Sequence, residues 1–151
     1  MPSHINRAEA VGAASAAIGV VVAFLPWYGY PDGVARVSVN AFRASAFGDL
    51  YFLAIAAAIL LLLIGRGFVD DVVTPYVPET TAHATAAAFA TASVLIEMIL
   101  AKAAGRSLGP GMFLALVAAL GLCGAAVLRR LHPDRRRIVR DPLVPEGLIT
   151  P

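Results

Sequence analysis

The chain has 151 residues, of which 59% are hydrophobic and 15% are charged, and its mean hydropathy is +0.77. This composition leaves too little polar sequence for a soluble domain. The net charge of +2 does not predict nucleic-acid binding, because membrane proteins often carry such an excess for topological reasons. The single cysteine, Cys123, excludes a disulfide framework within the chain.

Four apolar stretches occupy most of the chain, and the charged residues lie almost entirely outside them. Each stretch is about long enough to cross a hydrocarbon layer ~30 Å thick at ~1.5 Å per helical residue. The predicted spans are residues 10–27, 47–64, 82–104 and 112–128. The sequence therefore predicts an all-α membrane protein. Its transmembrane domain, residues 1–130, is a four-transmembrane-helix bundle, and residues 131–151 form a basic, proline-containing cytoplasmic tail.

The first span is rich in small residues. Gly12 and Ala16 are four residues apart, as are Ser15 and Gly19, so each pair shares a helix face that another helix can approach closely. Pro26 then ends the span, because proline lacks a backbone donor. These faces predict tight helix packing, either within one chain or between chains.

Aromatic residues are concentrated around the first loop. Eight of the chain's twelve aromatic residues fall between residues 24 and 52. Since Trp and Tyr prefer the headgroup level of a bilayer, this region predicts the outer interface of the protein. The residues could form an aromatic belt or a platform for a partner. The candidates for this outer interface are Trp27, Tyr28, Tyr30, Phe42, Phe47 and Tyr51.

The loop between the first two spans predicts a short extracytoplasmic β-hairpin. Pro31, Asp32 and Gly33 form a turn signal, and residues 34–42 alternate between apolar and polar side chains. An isolated hairpin of two strands is marginally stable, so we expect the neighbouring aromatic residues to support it.

Glu97 is the strongest candidate for a functional residue. It lies in the third span, about 6 Å from the middle of that span at ~1.5 Å per residue. A charged carboxylate at this depth costs about 2 to 3 kcal/mol, so such residues usually face a cavity or a partner. Ser93, four residues earlier, is predicted to hydrogen-bond the carboxyl group. Two roles remain open, namely a contact that holds helices together and a transport site.

No metal or cofactor is predicted. The three histidines, His4, His83 and His132, have no ligand spacing with one another or with Cys123. No Ser or Cys nucleophile has a base at a recognisable spacing either, so the sequence favours a protein that is not an enzyme.

The basic residues predict the orientation of the chain. Of the twelve Lys and Arg residues, eight lie on the side that carries both termini and four on the other side, which places both termini in the cytoplasm. Six of the eight follow the fourth span or end it, where they meet the anionic inner leaflet. These inner-leaflet residues are Arg129, Arg130, Arg135, Arg136, Arg137 and Arg140. The predicted location is the plasma membrane, with multiple spans.

Three short elements carry a resemblance to a group of proteins. They are residues 24–28 (FLPWY), residues 40–42 (NAF) and residues 47–50 (FGDL), the last opening a Leu/Ala-rich span. With these elements, residues 10–64 resemble small, mostly uncharacterised four-span membrane proteins common in actinobacteria. The resemblance implies location and topology but no activity. A tryptophan often precedes the Ala-Phe element in that group, whereas Asn40 stands there in this chain.

These features predict a non-enzymatic integral membrane protein, an accessory or scaffolding component of a larger membrane assembly. Small-residue helix faces, an aromatic outer loop and a basic tail are all contact surfaces. The expected partners are the lipid bilayer and either another membrane protein or further copies of the chain, without nucleic acid. The alternative is a small oligomeric transporter or channel that uses Glu97, since four spans leave little room for a pore in a monomer.

Overall fold

The computed structural model describes residues 7–32, 35–65 and 79–131. These residues are mostly helical, with a small sheet. The helices are α1 (Arg7–Ala23), α2 (Ala41–Ala44), α3 (Ala46–Gly65), α4 (Glu79–Ala103) and α5 (Pro110–Leu131). The strands are β1 (Tyr28–Asp32), β2 (Ala35–Val39) and β3 (Ser107–Leu108). Within the described ranges, α3, α4 and α5 are long and apolar enough to cross a membrane.

Helix α1 ends four residues earlier than the predicted first span. The amides of Phe24 and Leu25 donate to the carbonyls of Val21 and Val22, three residues back, which tightens the last turn. Pro26 cannot continue the helix because it has no N–H. Trp27 therefore lies in the connection to β1, and α1 is 17 residues long, or about 25 Å at ~1.5 Å per residue.

The four long helices contact one another in a closed order. Helix α1 packs against α3 and α5, and α4 also packs against α3 and α5. Small residues, namely Ala, Gly and Ser, hold most of the buried positions of the four helices, whereas many large apolar side chains lie on the outside. Among the most exposed are Val21, Leu53, Ile99, Val117 and Leu131, each more than 60% exposed. This distribution reverses the usual arrangement of a water-soluble protein, in which large apolar residues fill the interior.

The sheet confirms the predicted hairpin and adds a third strand. Strand β1 pairs with β2 and β3, antiparallel to both, so that Tyr28 lies opposite Val39 on one side and Leu108 on the other. The alternating pattern of residues 34–42 extends beyond the strand, because β2 ends at Val39. The Arg43 amide donates to the Asn40 carbonyl, so the chain turns into α2 instead.

The sheet lies at one end of the helices, which we call the sheet end. Helix α1 leads into β1, α4 leads into β3, and α2 connects β2 with the start of α3. Helix α5 starts at Pro110, directly after β3. The sheet end is therefore built from two connections, the one between α1 and α3 and the one between α4 and α5.

Candidate functional site

The residues Pro26 and Trp27 join the sheet to the start of α5. The Trp27 amide donates to the Val39 carbonyl at 2.7 Å, and the Gly109 amide donates to the Trp27 carbonyl at 2.7 Å. A third bond runs from the Gly111 amide to the Pro26 carbonyl at 2.9 Å. A Cβ atom at Gly109 would lie 2.5 Å from the Pro26 oxygen, so this close approach requires glycine.

The Trp27 side chain lies inside the protein. It is 0% exposed, its Nε1–H donates to the Val22 carbonyl at 3.1 Å, and its ring meets the edge of the Tyr51 ring at 5.3 Å between centroids. Tyr51 is also 0% exposed, and its hydroxyl donates to the Gly19 carbonyl at 3.4 Å. An aromatic pair of this kind contributes about 0.5–1.5 kcal/mol beyond its buried area. These two predicted interface residues therefore connect α1 with α3 and are not accessible to a partner.

Tyr28 links the sheet to the end of α2 and to Arg106, which directly precedes β3. Its hydroxyl donates to the Ala44 carbonyl at 2.8 Å, and the Arg106 guanidinium carbon lies 4.7 Å from the centroid of its ring. Such a cation–π contact is worth about 0.5–1 kcal/mol at an exposed position and more when desolvated. Tyr28 is only 2% exposed, so it is a further predicted interface residue whose contacts lie within the chain.

Glu97 meets the junction of α2 and α3. Its side chain is 1% exposed, and its Oε2 accepts a hydrogen bond from the Ser45 hydroxyl. The Ser45 oxygen in turn accepts a hydrogen bond from the Phe47 amide at 3.1 Å, in the position of an N-cap for α3. One hydroxyl group therefore caps α3 and binds the carboxyl group of α4. A polar partner of this kind reduces the cost of burying a carboxyl group.

The predicted hydrogen bond between Ser93 and Glu97 is absent. The Ser93 hydroxyl donates to the Phe89 carbonyl at 2.8 Å, one helical turn before it. A serine within a helix competes for this carbonyl, because the i−4 oxygen is always in reach. Ser93 is 3% exposed, but it takes no part in the contact that holds Glu97.

The remaining predicted interface residues lie nearer the surface. Phe42 is 38% exposed and Phe47 is half-buried. The Phe42 ring lies 5.2 Å from the Phe24 ring and 5.0 Å from the Phe52 ring, between centroids, so the three rings form a ladder over the ends of α1, α2 and α3. Tyr30 belongs to β1, and its side chain lies outside the described atoms.

Two of the predicted inner-leaflet arginines, Arg129 and Arg130, lie at the opposite end of the helices. Arg129 is half-buried and Arg130 is exposed in the last turn of α5. The other four, Arg135, Arg136, Arg137 and Arg140, are outside the described residues, as is the tail from residue 132 onward.

Sequence reasoning missed Ser45 and Arg106. Ser45 carried a detectable signal, because a serine directly before an apolar helical run is a typical N-cap. Its contact with Glu97 had no such signal, since the two residues are 52 positions apart. Arg106 carried no signal in the sequence either, because the pairing of β1 with β3 is what brings it close to the Tyr28 ring.

The chemistry of this region is hydrogen bonding and ring packing. In residues 7–32, 35–65 and 79–131 no three His, Cys, Asp or Glu side chains come together as metal ligands. Cys123 contacts the Thr91 hydroxyl at 3.5 Å, and that hydroxyl is also 2.9 Å from the Ala87 carbonyl.

No protein-family model matches the chain, and no curated protein or solved structure matches it.

Proposed function

We propose that the chain is a four-span membrane protein that acts as a non-enzymatic accessory or scaffolding component of a membrane assembly. The observation that carries this proposal is the packing of the long helices, with mostly small residues between them and many large apolar side chains outside. In lipid there is little hydrophobic drive to bury large side chains, and small residues allow helices to approach closely. Exposed Val, Leu and Ile side chains are favourable there and costly in water.

The proposed orientation places the sheet end outside and both termini in the cytoplasm. Arg43, Lys102 and Arg106 belong to the sheet end, whereas Arg7, Arg129 and Arg130 belong to the opposite end of the helices. The excess of basic residues at that opposite end, counted over the whole sequence, supports a cytoplasmic location for it. Helix α1 crosses as the shortest span, and a short span is accommodated by local thinning of the bilayer at modest cost.

The contacts of Glu97 support a structural role over transport. Its carboxyl group is almost completely buried and bound to Ser45, which itself caps α3. Buried polar groups between transmembrane helices commonly hold the helices together, and each such contact is worth about 0.6 to 2 kcal/mol. The buried aromatic residues Trp27, Tyr28 and Tyr51 likewise form contacts within the chain, which supports a structural role for the sheet end.

Purification with an affinity tag in mild detergent tests the proposal. The mass of the particle is measured by native mass spectrometry, and co-purifying chains are identified. We expect a stable complex with a different membrane protein. The same preparation is reconstituted into liposomes with ion-sensitive dyes. A homo-oligomer with ion flux that disappears in Glu97→Gln, while the variant stays folded, would favour the alternative of a small oligomeric transporter or channel.

A further inference from the structure

A cavity of about 220 Å³ lies beside α2, between the end of α1 and β2. Its lining consists of Phe24, Pro26, Ser38, Asn40 and Arg43. These residues supply one guanidinium group, one amide and one hydroxyl next to an aromatic ring. The lining, as far as the described residues form it, contains no acidic side chain. The charge and chemistry of the cavity therefore suit an anion that also carries hydroxyl groups.

Two polar side chains of the lining, Asn40 and Arg43, differ in their accessibility to a ligand. The Asn40 Oδ1 atom is buried and accepts no hydrogen bond from the described residues. A buried acceptor without a donor is uncommon in folded proteins, because its lost hydration is not compensated. Arg43 is exposed, and its guanidinium group forms no ion pair with any residue that the structure describes. A ligand can therefore reach Arg43, for which an anion is the matching partner, but it cannot touch the Asn40 Oδ1 atom unless the lining rearranges.

An apolar surface continues from the cavity. Phe24, which lines the cavity, is 62% exposed and is the first ring of the Phe24, Phe42 and Phe52 ladder. The ladder lies where the apolar ends of α1 and α3 meet the polar connections of the sheet end. In the proposed orientation this is the level of the headgroups in the outer leaflet. The site thus combines a polar cavity with a ring surface that can cover acyl chains.

The size of the cavity indicates which part of a lipid fits. At ~30 Å³ per water molecule, its volume corresponds to about seven waters. That is smaller than the ~300–1,000 Å³ of pockets that enclose drug-sized ligands. A headgroup fits inside such a volume, whereas acyl chains must remain outside on the ring ladder.

We propose that this cavity binds the phosphoglycerol headgroup of an anionic phospholipid in the outer leaflet, with Arg43 on the phosphate and the glycerol hydroxyls beside the Ser38 and Asn40 side chains that line the cavity. The acyl chains lie over Phe24 and Phe42. An ethanolamine headgroup is disfavoured, because its ammonium group would lie near Arg43 without a carboxylate in the described lining. This inference rests on the proposed membrane function.

Native mass spectrometry of the full-length protein in detergent tests the inference. Phosphatidylglycerol, phosphatidylethanolamine and soluble glycerol phosphate are titrated separately. The test variant is Arg43→Gln, and the matched control is Lys102→Gln, which removes an exposed cation at the same end of the helices but outside the lining. We expect Arg43→Gln to weaken phosphatidylglycerol binding about tenfold, which corresponds to about 1.4 kcal/mol. Lys102→Gln should leave it within about twofold, as expected for a charge distant from the ligand.

Three results would overturn the inference. They are equal losses in the two variants, equal binding of the two lipids by the wild type, and binding of glycerol phosphate as tight as that of the lipid. The thermal transition of Arg43→Gln is measured in parallel, and Arg43→Lys, which keeps the charge without the planar fork, should retain part of the affinity for phosphatidylglycerol.

Alkaline extraction of membranes distinguishes a failure of the lipid site from a failure of the proposed membrane function. Release of the protein would contradict the membrane function, whereas a protein that stays in the membrane but does not prefer phosphatidylglycerol contradicts only the lipid site.

Discussion

At the residue scale, the Ser45 hydroxyl forms two hydrogen bonds, each of which involves a different helix. It accepts the Phe47 amide at the start of α3 and donates to Glu97 of α4, so its removal affects two helices at once. Losing an N-cap costs about 1 kcal/mol, and leaving a buried acceptor without its donor costs about 1–3 kcal/mol. We therefore expect Ser45→Ala to lower the free energy of unfolding in detergent by about 2–4 kcal/mol. Ser93→Ala is the control, with an expected loss below about 1 kcal/mol, because Ser93 bonds only within its own helix. Equal losses in the two variants would show that the bond between Ser45 and Glu97 contributes little.

Glu97 allows a second prediction at this scale. The amide of Glu97→Gln keeps an oxygen that can accept from Ser45, so we expect the free energy of unfolding to change by less than about 1 kcal/mol. Glu97→Leu removes the acceptor and should cost about 1–2 kcal/mol, measured by the same unfolding assay. If Gln were as damaging as Leu, the charge of the carboxylate rather than the hydrogen bond would be required for folding.

At the scale of the elements, the contact between α1 and α5 depends on small residues. A Cβ atom added at Gly121 would overlap the Ser15 Oγ atom, whereas one added at Gly124 would meet nothing within 4 Å. We expect Gly121→Ala to destabilise the protein by about 1–3 kcal/mol, the usual range for overpacking. Gly124→Ala should be neutral or stabilise by up to about 1 kcal/mol, because alanine is the better helix former. Apparent melting temperatures in detergent compare the two. A loss in Gly124→Ala as large as that in Gly121→Ala would contradict this account of the interface.

The long helices could be predicted from the sequence, with their ends to within about four residues, but their contacts could not. Hydropathy and length identified α3, α4 and α5 because a membrane imposes both quantities on a span. The same criterion extended the first span to Trp27, since hydropathy does not distinguish a buried aromatic residue in a connection from one in a helix. Strand β3 has two residues, too few for any periodic pattern. The side-chain partners of Glu97 and Tyr28 depend on helix rotation and strand register, which a single sequence does not specify.

At the scale of the whole molecule, the orientation in the membrane decides which surfaces meet which compartment. Cysteine substitutions at Ser3, Ser38 and Thr150, each in a Cys123→Ala background, can be labelled with a thiol reagent that does not cross membranes. Ser38 is exposed in β2, so we expect its substitution to be labelled in intact cells. The substitutions at Ser3 and Thr150, outside the described residues, should be labelled only after permeabilisation, because an excess of basic residues favours the cytoplasmic side. Labelling of either terminal site in intact cells, with position 38 silent, would show the opposite orientation.

The strand order β2-β1-β3 also has a consequence for the timing of assembly. The Ser107 hydroxyl donates to the Gly29 carbonyl across 78 residues of sequence, so the sheet cannot be completed until α4 has been synthesised and, in the proposed orientation, has crossed the bilayer. Until then the hairpin is a pair of strands of marginal stability, and the part of β1 that later pairs with β3 is an open edge. In the proposed orientation that edge faces the outside. A surveillance protease on that side would therefore cut unfinished chains within the hairpin and spare completed ones.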